Sequence, residues 1–66
     1  MKNNIKVFRE KHRITQDQLA TMTNVSRQTI ISLEKSKYIA SLQLAWKLSK
    51  VFDVSIKDLF YFDEEE

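Results

Sequence analysis

The 66-residue chain contains no cysteine, no glycine and no proline. Without cysteine there is no disulfide framework, no thiolate metal site and no sulfur nucleophile. Without glycine no Gly-rich phosphate loop can form, and without either glycine or proline the usual punctuation of turns is missing, so polar caps must mark the ends of elements. Histidine occurs once, at His12, and four of the nine acidic residues sit together at 63–66. The remaining Glu and Asp residues suggest no pocket between them, so the chain is expected not to be an enzyme and to hold no metal or cofactor. No apolar run approaches the roughly 20 residues of a membrane span. The opening "MKNNIKVF" lacks the apolar stretch of a signal peptide, and the expectation is a soluble, cytoplasmic protein.

What is present is 42% hydrophobic and 30% charged residues without segregation into blocks, the composition of one compact domain. A chain this short is marginal unless well packed or dimeric. Residues 1–62 carry 11 basic against 5 acidic side chains, a charge of +6, and form the expected domain; Asp63, Glu64, Glu65 and Glu66 form an acidic C-terminal tail. A basic body fits a polyanionic partner, or simply solubility. The tail is either a solvated end or an element that repels or orients a polyanion.

Spacing and caps divide the chain into helices. Ile5, Phe8 and His12 recur at helical spacing; Thr15 caps a second helix with Gln18 as the other half of a capping box, and Leu19 and Met22 give that helix its expected buried edge. Asn24 supplies a sharp turn, and Ser26 caps a third helix. Ser41 caps a fourth, with Leu44, Ala45, Leu48, Val51 and Phe52 on one broad apolar face, and Ser55 with Asp58 opens a short fifth carrying Leu59 and Phe60. The fold class is all-α. Phe60 and Phe62, two residues apart, suit a short extended segment that pairs with "MKNN" as a two-strand sheet. They either cover the monomer's own core or form a dimer interface bordered by Trp46.

In "VSRQTIISLEKSKY", Val25 to Tyr38, about 100° per residue turns Ile30 and Leu33 inward and places Gln28, Ile31, Ser32 and Lys35 on the opposite side, with Arg27 at the N-terminal rim. A merely solvated face would carry Glu and Lys four residues apart, whereas the fork of Arg and the amide of Gln match guanine and adenine edges. Ile31 is either a harmless exposed residue or a contact to a thymine methyl.

Two helices joined by a tight turn, the second presenting such a face, make a helix-turn-helix. The sequence resembles the Xre family of phage Cro and repressor-type DNA-binding domains over nearly its whole length, in "FREKHRITQDQLA", "VSRQTIISLEKSKY", "SLQLAWKLSKVFDVS" and "KDLF". The resemblance implies a compact five-helix, lambda-repressor-like domain and a short transcriptional regulator. Such a regulator represses from a palindromic double-stranded DNA operator as a homodimer, with the third helix in the major groove. It places Arg27, Gln28, Ile31 and Ser32 at base edges, and Gln16, Ser26, Thr29, Lys35, Lys37 and Tyr38 at the phosphate backbone. For Ser26 a plain helix cap is the other reading, and for Thr29 packing on the second helix. Arg9 and Glu34 match a family pair that forms a buried salt bridge. No small-molecule ligand is implied. Arg13, Asn24, Ser36 and Asp53 stand where relatives commonly have glycine, and Ile39-Ala40 where Asn-Pro is frequent. Left-handed backbone at such residues costs roughly 1 kcal/mol, least for Asn and Asp. The alternative function is an antitoxin or adaptor whose main partner is a protein; an RNA-binding role lacks an exposed aromatic pair to stack bases.

Overall fold

Four short polar side chains open four of the helices. The structure, a computed structural model, describes residues 1–62; the acidic stretch 63–66, expected from the sequence to be a tail, lies outside the described residues. The order is β1 (Lys2–Asn3), α1 (Ile5–Lys11), α2 (Gln16–Thr23), α3 (Arg27–Glu34), α4 (Leu42–Phe52), α5 (Ile56–Leu59) and β2 (Phe60–Tyr61). At α2 the Thr15 hydroxyl accepts from the Gln18 amide at 3.0 Å while the Gln18 side chain accepts from the Thr15 amide at 2.8 Å, closing the expected capping box. Ser26 and Ser41 each accept from the backbone N–H three residues on, at 3.1 Å. At α5 the Asp58 carboxylate accepts from the Ser55 hydroxyl at 2.8 Å and the Ser55 amide at 3.2 Å.

The opposite ends share a second device. Arg13, Asn24, Ser36 and Asp53 all have positive φ, between 54° and 59°. In each case the next residue donates its N–H back across the end of the helix: Ile14 to the Arg9 carbonyl at 3.0 Å, Val25 to Ala20 at 3.0 Å, Lys37 to Ser32 at 2.9 Å and Val54 to Ser49 at 3.0 Å. This is the pattern with which a left-handed residue terminates a helix, here carried through without glycine. After three of these residues comes an apolar side chain packed against the core, Ile14, Val25 or Val54. After α3 comes Lys37, which is exposed.

The core is built from Ile5, Leu19, Ala20, Ile30, Leu33, Leu44, Leu48, Phe52 and Leu59, so every helix contributes to it. Truncating Ile30 or Leu33 to alanine is expected to cost about 2–5 kcal/mol, a large part of the stability of so small a domain. The expected buried edge of α2 is corrected in one residue. Met22 is exposed and the fully buried position is Thr23, whose hydroxyl donates to the Leu19 carbonyl at 2.8 Å. Leu19, Ala20 and Thr23 set the inward stripe of α2, and Met22 falls about 100° away from its centre. His12 is exposed, yet its ring lies 5.3 Å from that of Phe52, so it closes the end of the core without entering it.

The two terminal segments pair as the sequence suggests. Strand β1 runs antiparallel to β2, with Lys2 opposite Tyr61 and Asn3 opposite Phe60. The described residues therefore form five helices with a two-strand sheet, and the N-terminal segment also ties to the end of α3: Asn3 donates its side-chain amide to the Leu33 carbonyl at 2.8 Å. Phe60 packs against the core, whereas Phe62 remains largely exposed. No helix among the described residues is long and apolar enough to cross a membrane.

Candidate nucleic-acid interface

Helices α2 and α3 are joined by the left-handed turn at Asn24 and packed through Leu19, Ala20, Ile30 and Leu33. This leaves the outer side of α3 to Arg27, Gln28 and Lys35, all exposed, and to Ile31 and Ser32, both half-buried. Gln28 sits one turn before Ser32 and its amide reaches the Ser32 hydroxyl at 3.4 Å, a long contact that leaves both side chains available to another partner. Arg27 projects from the first turn with 60% of its side chain exposed; its Nε lies 3.8 Å from the Asp17 carboxylate, across to α2. An exposed pair at that distance is weak and leaves the guanidinium open to another partner. The Ser26 hydroxyl caps α3 and lies 2.9 Å from the Thr29 hydroxyl, so these two residues are engaged with each other at the start of the helix.

Beneath this face lies a cleft of about 520 Å³ between α1, α2 and α3, lined by Lys6, Gln16, Arg27, Ile31, Glu34 and Lys35 among others. Its floor is ionic. Arg9 and Glu34 have only 12% and 6% of their side chains exposed, and the Arg9 Nε donates to Glu34 Oε2 at 2.6 Å. A second guanidinium nitrogen donates to Oε1 at 3.3 Å, and the third to the Ile14 carbonyl at 3.0 Å, so all three nitrogens have partners. The hydrogen bond to Glu34 holds the Arg9 guanidinium above its ordinary pKa, against the opposing effect of burial. Gln16 completes the floor, donating its side-chain amide to Glu34 Oε1 at 3.2 Å.

The remaining sequence-derived site residues are placed around this centre. Lys37 and Tyr38 are exposed on the loop after α3, which begins at the left-handed Ser36. Phe60, in β2, and Phe62, just after it, do not line the cleft. Two cleft residues escaped the sequence reading, Lys6 and Asp17. Lys6 precedes Arg9 by three positions, so helical spacing alone already put it on the same face of α1.

Residues 5–59 match the helix-turn-helix family HTH_3. A protein of Methanocaldococcus jannaschii described as an uncharacterised HTH-type transcriptional regulator is 50% identical over 66 residues, the full length of both chains. An HTH-type transcriptional regulator of Archaeoglobus fulgidus is 52% identical over all of this chain and 93% of its own. A third, from Bacillus subtilis, is 38% identical over 98% of each chain. Among solved structures, the restriction-modification controller protein C.AhdI from Aeromonas hydrophila superposes with a TM-score of 0.77 over 85% of each chain, at 23% identity, a likeness of fold. The chain belongs to the helix-turn-helix family of the Xre type, and is a transcriptional regulator with a helix-turn-helix DNA-binding domain.

Proposed function

We propose that residues 1–62 form a sequence-specific repressor that binds a palindromic double-stranded DNA operator in the cytoplasm as a homodimer. Helix α3 lies in the major groove. The observation that carries this reading is the outward side of α3, where an exposed arginine and glutamine at the first turn stand on a helix fixed from behind by Ile30 and Leu33. Arg27 and Gln28 read base edges through bidentate hydrogen bonds, Ser32 adds a hydroxyl, and Ile31 meets a thymine methyl. Gln16, Ser26, Thr29, Lys35, Lys37 and Tyr38 hold the phosphate backbone and set the register of docking. Helix N-termini favour phosphate, since their first amides are unpaired and the helix dipole is positive there, and Gln16 is the first residue of α2.

The second copy has a surface to meet. Ile39, Leu42 and Trp46 are 70%, 80% and 55% exposed on the loop before α4 and its first turns, and Phe62 is 76% exposed. Leu42 also lines an apolar groove, with Met1, Ala40, Ala45, Ile56 and Phe60. Apolar residues in this density mark an interaction surface. A palindrome read by two copies of α3 about 34 Å apart gives the discrimination that a single short helix lacks. The same surface fits a different protein, and this supports the antitoxin or adaptor reading as the alternative. Salt separates the two. Binding to duplex DNA through several phosphates falls steeply, on the order of a thousandfold or more, between about 50 and 200 mM salt. Affinity for DNA that stays flat over that range would overturn the operator reading.

A further inference from the structure

The Arg9–Glu34 pair has a geometry that goes beyond joining two helices. Glu34 uses Oε2 for the short bond to Arg9, while its Oε1 accepts twice, from a guanidinium nitrogen at 3.3 Å and from the Gln16 side-chain amide at 3.2 Å. Three segments of the chain thus meet on one carboxylate: α1 through Arg9, the first residue of α2 through Gln16, and the last residue of α3 through Glu34 itself. A glutamine amide is chemically two-ended and in water turns either end outward. Here a carboxylate, which only accepts, selects the end. Glu34 draws the Gln16 NH2 group to itself, so one of its two N–H bonds is spent inside the cleft and the other is left for an acceptor outside. Glu34 cannot turn away, since its side chain is nearly buried and gripped by the fork of Arg9.

We propose that Glu34 is a positioning residue for DNA binding: held by Arg9, it fixes the Gln16 amide so that one N–H faces a phosphate oxygen at the start of α2. This rests on the DNA-binding reading given above. Position and strength of backbone contact at α2 then depend on a residue at the end of α3, so the two helices of the motif dock as a unit. The arrangement also explains why a carboxylate is tolerated beside an anionic ligand. Its charge is matched by Arg9, and Gln16 stands in front of it as a neutral donor.

The test is a double-mutant cycle on the full chain with Gln16→Ala, Glu34→Gln and both, each checked for fold by circular dichroism. Affinity is measured by fluorescence anisotropy on a duplex carrying the motif that the wild type enriches from a random pool of duplexes and on one of random sequence. Loss of one hydrogen bond to a charged group is expected to weaken both duplexes by about tenfold in Gln16→Ala. Folded Glu34→Gln should lose a similar factor, and the double variant should lose no more than either single one. Losses that multiply, or a folded Glu34→Gln that binds as tightly as wild type, would overturn the proposal. Should Glu34→Gln fail to fold, the Gln16 side-chain amide of the wild type carries the test by NMR: its exchange with water should be slower than that of the exposed Gln43. Equal exchange at the two would overturn the proposal. A wild type with a protected Gln16 amide that binds no duplex would instead overturn the DNA reading on which it rests.

Discussion

Arg9 and Glu34 form an ion pair with both side chains nearly buried. Removing one partner therefore strands the other's charge largely out of water, and Arg9→Met is expected to cost about 3–5 kcal/mol. That approaches the whole stability of a domain this size, so the variant should be largely unfolded in urea titration at neutral pH. Replacing both residues by apolar ones of similar volume should recover much of the loss, because no charge is then stranded. Simple additivity of the two single effects would contradict direct contact. The pair was legible in the sequence through the family resemblance of Arg9 and Glu34. The link to Gln16 was not, because it joins residues 18 positions apart through packing that no local pattern encodes. Met22 shows the reverse failure. Spacings of three and four from Leu19 both satisfy a helical stripe, and a hydrophobic scan passes over Thr23 because its hydroxyl is polar. The structure buries that hydroxyl against a carbonyl of its own helix and leaves the methionine outside.

Helix ends were the most legible elements, since a cap needs one short polar side chain at one position, and Thr15, Ser26, Ser41 and Ser55 supply it. The short sheet was also readable, from the alternation of Phe60 and Phe62. Helix termination without glycine has a consequence for stability. A left-handed conformation costs an ordinary residue about 1–2 kcal/mol, and glycine removes that cost while losing roughly 0.5–1 kcal/mol of backbone entropy. Arg13→Gly and Ser36→Gly should therefore raise stability by up to about 1 kcal/mol in urea unfolding, and Asn24→Gly should change it little, Asn being tolerant of this geometry. A loss of stability in Arg13→Gly would show that its backbone is not strained. At the start of α5, hydrogen bonds from the Ser55 hydroxyl and then from its amide hold the Asp58 carboxyl below the ordinary carboxylate pKa. A lowered folded-state pKa means that the native chain binds fewer protons than the unfolded one. The stabilisation is thus fully present above the ordinary value of about 3.9 and is lost as pH falls through the lower folded value. In Asp58→Asn the urea midpoint should show a smaller acid-induced fall below about pH 4 than in wild type. An unchanged acid limb would contradict the assignment.

At the scale of the whole molecule, the proposed reading surface and the proposed assembly surface are lined by different residues. The basic cleft is lined in part by α3, and the exposed Leu42 shares an apolar groove with Phe60 of the small sheet. Sedimentation equilibrium at micromolar concentration is expected to give about twice the monomer mass of 7.9 kDa. Leu42→Asp should return it toward the monomer without loss of helix content, since Leu42 is 80% exposed in the single chain. A monomeric wild type that binds one half-site with full specificity would contradict the dimer. The central claim, that α3 reads sequence, is tested most directly by selecting duplexes from a random pool with wild type and with Arg27→Ala, Gln28→Ala and Lys35→Ala. Wild type should enrich a palindromic motif, and each of the first two variants should bind it roughly 1–3 kcal/mol more weakly and lose preference at one base position in each half-site. Lys35→Ala should select the wild-type motif and bind every duplex more weakly by a similar factor. An enriched motif that is the same in wild type, Arg27→Ala and Gln28→Ala would contradict the account.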